Sequence, residues 1–249
     1  MVLDAVRRTD IMLAMIEPRA EAADRTQFEA ALAAAMIPLG LPLAASQVTL
    51  LWTHFERVVE ANRHFNLTRI TTPAEAAVKH YADSLSLLTL PGIGRNRKLS
   101  LLDVGTGAGF PAVPLAVVCP AWRITAIDGA GKKVRFVAET VGALGLKNIE
   151  ARHARAADLA KELPGRFDLV VLRAVTKLAA GLAEVAPLAR PGGRIVFYKT
   201  ATMFVEELEA GRRKAESLGL KMCTPVDIDV PAGDEDLHRR FIICERPAR

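Results

Sequence analysis

The chain holds few cysteines and histidines and no long uninterrupted apolar run, and each shortage excludes something. Its three cysteines, Cys119, Cys223 and Cys244, are odd in number and far apart. That rules out a disulfide framework or a Cys-x-x-Cys metal clip and leaves them as reduced packing residues. The five histidines form no His-x3-His or Cys-x2-His pair, so no metal site is expected. Two stretches lack charge, Ala30–Ala45 and Val104–Trp122. The first contains Pro38, Gly40 and Pro42 and falls short of the roughly 20 residues a span needs; the second holds three glycines and three prolines. The apolar run Ile11–Ile16 lies between Asp4 and Glu17 and is too short for a secretory leader. A cytoplasmic protein without membrane contact is expected.

What is present describes a folded chain. Of 249 residues 51% are hydrophobic, too many for a disordered sequence. The length suits one large domain with an appendage, since domains usually run to about 100–200 residues. The net charge of +5 leans towards a nucleic-acid partner without requiring one.

Apolar spacing is helical from Leu3 to about Ile70. In the clearest helix Ser46 is the expected cap, and Val48, Leu51, Trp52, Phe55, Val58, Val59 and Asn62 share one stripe ending near His64. Trp52 and Phe55 therefore read as core residues. Thr72-Pro73-Ala74-Glu75 reads as a capping box opening a helix towards Leu88. Beyond the loop Pro91–Lys98 the rhythm changes to short strands at Leu99–Val104, Arg123–Asp128, Ile149–His153, Phe167–Leu172 and Arg194–Lys199. Helical patterns separate them, including Lys132–Leu144 and Lys177–Leu188, the latter stopped by Pro191-Gly192-Gly193. Lys221–Val230 and Arg239–Glu245 should close the chain as an antiparallel hairpin around the loop Pro231–His238. The expected α/β fold is Rossmann-like: a mostly parallel seven-stranded sheet over 91–249, ending in that hairpin, behind a helical region over 1–90. Residues 1–23 carry no assigned role.

The segment Asp103-Val104-Gly105-Thr106-Gly107-Ala108-Gly109-Phe110-Pro111 follows a strand and opens a helix, delivering a ligand to the carboxyl edge of the sheet. A dinucleotide site wants glycine where Phe110 stands, and a P-loop wants Gly-Lys-Ser/Thr, which is absent. The remaining pattern is that of S-adenosyl-L-methionine sites, with Gly105, Thr106, Gly107, Gly109 and Phe110 forming the loop. Asp128 closes the next strand and can accept hydrogen bonds from both ribose hydroxyls of an adenosine, or cap the following helix.

These segments, with Asn66-Leu67-Thr68, His80-Tyr81-Ala82-Asp83-Ser84-Leu85, Gly131-Lys132-Lys133-Val134-Arg135-Phe136 and Arg173-Ala174, resemble the RsmG (glucose-inhibited division protein B) family of 16S ribosomal RNA guanine-N7 methyltransferases. The resemblance spans about Asn62 to Lys199. It implies methyl transfer from S-adenosyl-L-methionine to N7 of guanine 527, in the 530 loop of small-subunit ribosomal RNA. It also implies that Gly105 and Phe110 line the cofactor pocket, that Asp128 holds the ribose, that Ala156 and Ala157 flank the adenine, and that Arg173 stands where cofactor and base meet. The chain departs from the family in having Ala157 where Glu is usual, with Asp158 beside it, and Thr200 after Lys199.

Guanine N7 offers a lone pair and bears no proton, so no catalytic acid or base is expected. Holding the reactants in line can supply roughly 7–11 kcal/mol. The position after the fourth strand reads Leu172-Arg173-Ala174-Val175, not the Asn/Asp-Pro-Pro-aromatic motif of exocyclic-amine enzymes, and no cysteine is placed for cytosine-C5 chemistry. Arg173 could hold the base, pair with the methionine carboxylate of the cofactor, or form a surface ion pair. On this reading its replacement by Ala lowers transfer without lowering stability. Lys132, Lys133, Arg135 and Lys199 are expected at the ligand edge as phosphate contacts, whereas Arg95, Arg97 and Lys98 form a solvated loop at the opposite edge. Asn66, Thr68, His80, Asp83 and Ser84 are either a core network or part of the site's rim, with Asn66 and His80 the candidate RNA contacts. Asp168 reads as structural. The alternatives are a small-molecule methyltransferase and a non-catalytic RNA-binding assembly factor; a monomer is expected.

Overall fold

The computed structural model describes residues 22–232 and 236–248. The helical pattern expected before Ala22 and the centre of the loop Pro231–His238 lie outside the described residues. Helix α1 covers residues 22–36, and α2 covers Ala45–Asn62. The cap of α2 is not Ser46: the Gln47 side chain accepts the Ala44 N–H at 2.9 Å, so the cap falls two residues earlier, at Ala44. Asn62 closes it by accepting the N–H groups of Leu67 and Thr68. Pro73 opens α3 (Pro73–Ala76), but Glu75 pairs with Lys79 at 2.8 Å instead of closing a box on the Thr72 backbone. The run continues through a π turn, Ala77–Ala82, into α4 (Asp83–Leu85) and a 3-10 turn, Ser86–Thr89.

The sheet contains β1 (Ser100–Val104), β2 (Arg123–Asp128), β3 (Ile149–His153), β4 (Phe167–Arg173), β5 (Ala189–Thr200), β6 (Lys221–Met222), β7 (Val226–Val230) and β8 (Leu237–Glu245). Its order is β3-β2-β1-β4-β5-β8-β6, parallel through β5, with β6 and β7 both antiparallel to β8. Among the described residues the sheet has eight strands where seven were expected, because the arm Lys221–Val230 breaks at Cys223–Pro225, where proline has no N–H to give to a ladder. Strand β5 starts at Ala189, so Pro191-Gly192-Gly193 shapes its entry and does not stop a helix. A Cβ on Gly193 would lie 2.8 Å from the Arg190 carbonyl and 2.9 Å from that of Phe167.

Helices cover both faces, as a parallel sheet requires. On one, α5 (Ala112–Val118), α6 (Gly131–Ala143) and the N-terminal helices share a core with Leu101, Ile124, Leu169, Val171 and Val196. On the other, α7 (Ala156–Glu162), α8 (Leu178–Val185) and α9 (Val205–Ser217) cover Leu102, Val104, Val170, Leu172 and Phe197. The strand order reverses between β1 and β4, and the crevice outside their carboxyl ends is where doubly wound sheets take ligands.

Candidate cofactor and substrate site

The glycine turn lies in that crevice. Gly105, Gly107 and Gly109 have φ of 75°, 60° and 95°, a region that side-chain-bearing residues avoid. The N–H groups of Gly105 and Thr106 both donate to the Ile127 carbonyl, at 2.8 and 2.9 Å, tying the turn to the end of β2. A Cβ on Gly105 would stand 2.7 Å from Val175. Beneath the turn Asp103 is fully buried; its Oδ2 accepts the Ala112 N–H at 3.3 Å, and its Oδ1 has no hydrogen-bond partner. Burial pushes its pKa to about 7 despite the neighbouring Thr106 hydroxyl and Ala112 N–H.

Asp128 faces the turn. Its Oδ1 accepts the Ala130 N–H at 2.8 Å and its Oδ2 the Gly107 N–H at 3.1 Å, so it caps the entry to α6 and braces the glycine turn together. A carboxylate has about four acceptor sites, which leaves two for a ligand's hydroxyls. A cavity of about 400 Å³ opens there, lined among others by Gly105, Asp128, Ala156, Val175 and Glu184. That volume lies within the usual range for small-molecule sites. Ala157 is exposed beside it, and Asp158 pairs with Lys161 at 3.3 Å.

Thr106, Gly107, Gly109 and Phe110 shape the turn without lining this cavity. Phe110, placed in the pocket wall by resemblance, is instead 7% exposed under the His80 ring, with centroids 4.5 Å apart and planes at 19°. His80 shares a 2.8 Å hydrogen bond with Thr68, and burial followed by the Arg173 charge lowers its pKa to about 3.

His54 went unnoticed in the sequence. Its Nε2 is 2.9 Å from the Ala108 carbonyl, and its Nδ1 is 3.0 Å from the Tyr81 hydroxyl, both within the core. A carbonyl can only accept, so Nε2 carries the proton and Nδ1 accepts from Tyr81. Burial holds the ring neutral, with a pKa of about 4. The only available signal was a polar residue on the apolar stripe between Trp52 and Phe55.

Arg173, at the end of β4, is no surface residue. Its Nε donates to Asp83 at 2.7 Å and its Nη2 to the Lys79 carbonyl. Arg239 of β8 grips the same carboxylate at 2.6 and 2.9 Å. Asp83 is fully buried and both guanidiniums are under 15% exposed, so Arg173→Ala must lower stability as well as any activity, contrary to the sequence expectation. Lys199 does not stand free either: its ammonium joins the Thr176 carbonyl at 2.8 Å to Glu207 at 2.7 Å. Lys132 lies over the Phe65 ring, Lys133 is 3.9 Å from Asp128, and Arg135 and Asn66 are exposed. Asp168 holds Ser100 and Arg190, a structural role. Cys119 caps the carboxyl end of α5, and all three cysteines are unpaired thiols. Among the described residues no cluster of His, Cys, Asp and Glu could hold a metal, and no helix is long and apolar enough to cross a membrane.

A glycine turn and a strand-end carboxylate meeting at the switch point of a doubly wound sheet define a nucleoside-binding α/β protein. The fibrillarin pre-rRNA processing protein of Methanococcus jannaschii shares this fold, with a TM-score of 0.51 and 18% identity over 68% of this chain and 74% of that one. The family model described as rRNA small subunit methyltransferase G matches residues 47–228. Ribosomal RNA small subunit methyltransferase G of Geobacter sp. (strain M21) is 38% identical over 194 residues, covering 78% of this chain and 87% of that protein. The protein of the same name from Lactobacillus johnsonii is 36% identical over 210 residues, covering 83% and 86%. The chain belongs to the rRNA small subunit methyltransferase G family.

Proposed function

We propose that this protein transfers the methyl group of S-adenosyl-L-methionine to N7 of a guanine in 16S ribosomal RNA, guanine 527 by family resemblance. The carrying observation is the spare acceptor capacity of Asp128 at the floor of a nucleoside-sized cavity, opposite a turn whose glycines keep side chains out. Those residues fit the cofactor: Asp128 takes the ribose hydroxyls, the backbone at Gly105 allows close approach, and Ala156 and Ala157 leave room for a flat base. When bound, the cofactor supplies an electrophilic sulfonium methyl.

The chain's contribution is placement. Arg173, pinned by Asp83, directs its remaining guanidinium donors to the junction of cofactor and base, and no proton need be moved because N7 carries none. Lys132, Lys133, Arg135, Asn66 and His80 stand on the RNA side, while Lys199 steadies the β4–α8 connection. An rRNA substrate places the reaction in the cytoplasm. The test is methyl transfer to small subunits and to stripped 16S RNA, with the modified nucleotide mapped in RNA from cells with and without the protein. Transfer only to small metabolites, or cofactor binding without transfer, would overturn the reading.

A further inference from the structure

Helix α7 has seven residues and is about 10 Å long, whereas β1 and β2 beneath it run about 17–20 Å. Ala156 and Leu159 cover only the carboxyl half of that face, over Leu102, Val104 and Ile127. The amino half stays open and its side chains are polar: Ser100, Arg123, Thr125 and Glu150 occupy paired positions across β1, β2 and β3. A cleft of about 410 Å³ lies there, floored in part by Leu163 and Phe167 and bordered by Arg123, Lys147 and Arg166. All three cations are exposed and have no ion pair or side-chain hydrogen bond among the described residues. The nearby carboxylates are engaged: Glu150 accepts the Thr125 hydroxyl at 3.0 Å, and Asp168 is held by Ser100 and Arg190.

We infer that this cleft, at the sheet edge opposite the cofactor cavity, is a second RNA-binding site that neutralises phosphates of the substrate's backbone. The inference rests on the RNA-methylating reading of the carboxyl edge. Arg123 opens β2, Arg166 immediately precedes β4 and Lys147 lies two residues before β3, and the four-strand width from β3 to β4 makes the array about 15 Å across. Several successive phosphates of one strand fit such a row, and only a ligand the size of folded RNA reaches both this cleft and the cofactor cavity.

The test is the salt dependence of 16S RNA binding by the full-length chain and by the triple variant R123A/K147A/R166A. Each lost phosphate contact removes about 0.7–0.9 from the slope of log K against log salt, so the variant's slope should be shallower by about 2–3. Its cofactor affinity by calorimetry should stay unchanged, which also reports an intact fold. Glu150→Gln, which removes the one carboxylate of the cleft, should strengthen RNA binding at low salt. An unchanged slope overturns the inference, as does weaker binding to assembled subunits with full binding to stripped RNA, which would assign the cleft to a ribosomal protein. A wild-type chain that binds this RNA without methylating it overturns the proposed reaction instead, and the slope still decides the role of the cleft.

Discussion

His54 and Asp103 both contact the backbone around the glycine turn, at Ala108 and Ala112, and burial shifts both towards the neutral form. Replacing His54 by Phe leaves the Ala108 carbonyl buried without its donor, a loss of about 1–3 kcal/mol. The expected outcome is a cofactor Kd raised roughly 10-fold in calorimetry, with Tyr81→Phe milder because it removes a donor and leaves the ring in place. The two groups have opposite pH signatures. The folded pKa of His54 lies below its usual 6.5, so its share of stability is present above that value and is lost as pH falls towards about 4. The folded pKa of Asp103 is raised to about 7, so its share is full below the usual carboxylate range and is lost as pH rises through 7. Denaturant midpoints between pH 5 and pH 8 should therefore fall less steeply with rising pH in Asp103→Asn than in the wild type. At this scale the sequence exposed the glycines and Asp128, which announce themselves by spacing. His54 was hidden because its partners, Tyr81 and Ala108, come from distant segments.

The strand-helix alternation was readable because buried parallel strands are short apolar runs bounded by turn residues. The ends of elements were less so: Gln47 moved the start of α2, and Pro225 split the arm that became β6 and β7. The turn between β1 and α5 makes the firmest prediction here. Gly105→Ala forces a side chain into positive φ and against Val175. It should abolish measurable cofactor binding, and adding Val175→Ala should restore little of it, because the second change relieves the contact but not the dihedral. If the double variant binds normally, crowding and not backbone geometry is what glycine supplies.

Asp83, Arg173 and Arg239 bind the helical layer, β4 and β8 into one network across 156 positions of sequence, a distance that no local pattern reveals. Removing one partner from a buried ion pair costs about 3–5 kcal/mol, so Asp83→Asn should lower the urea midpoint sharply. Arg173→Ala should cost less, since Arg239 still holds the carboxylate, and should also impair methyl transfer. Nothing local in the sequence warns of this coupling: Arg173 offered several partners on paper, and Arg239, expected only as the first residue of a hairpin strand, had none assigned.

The same triad decides where this polypeptide can be cut. A fragment starting at Pro91 would keep every strand and the whole glycine turn, yet leave two guanidiniums facing a hollow once filled by Asp83 and strip the cover from Leu101 and Val171. Such a truncate should be insoluble or lack a cooperative melt by circular dichroism. Dissection or grafting of the catalytic portion must therefore carry the helices along.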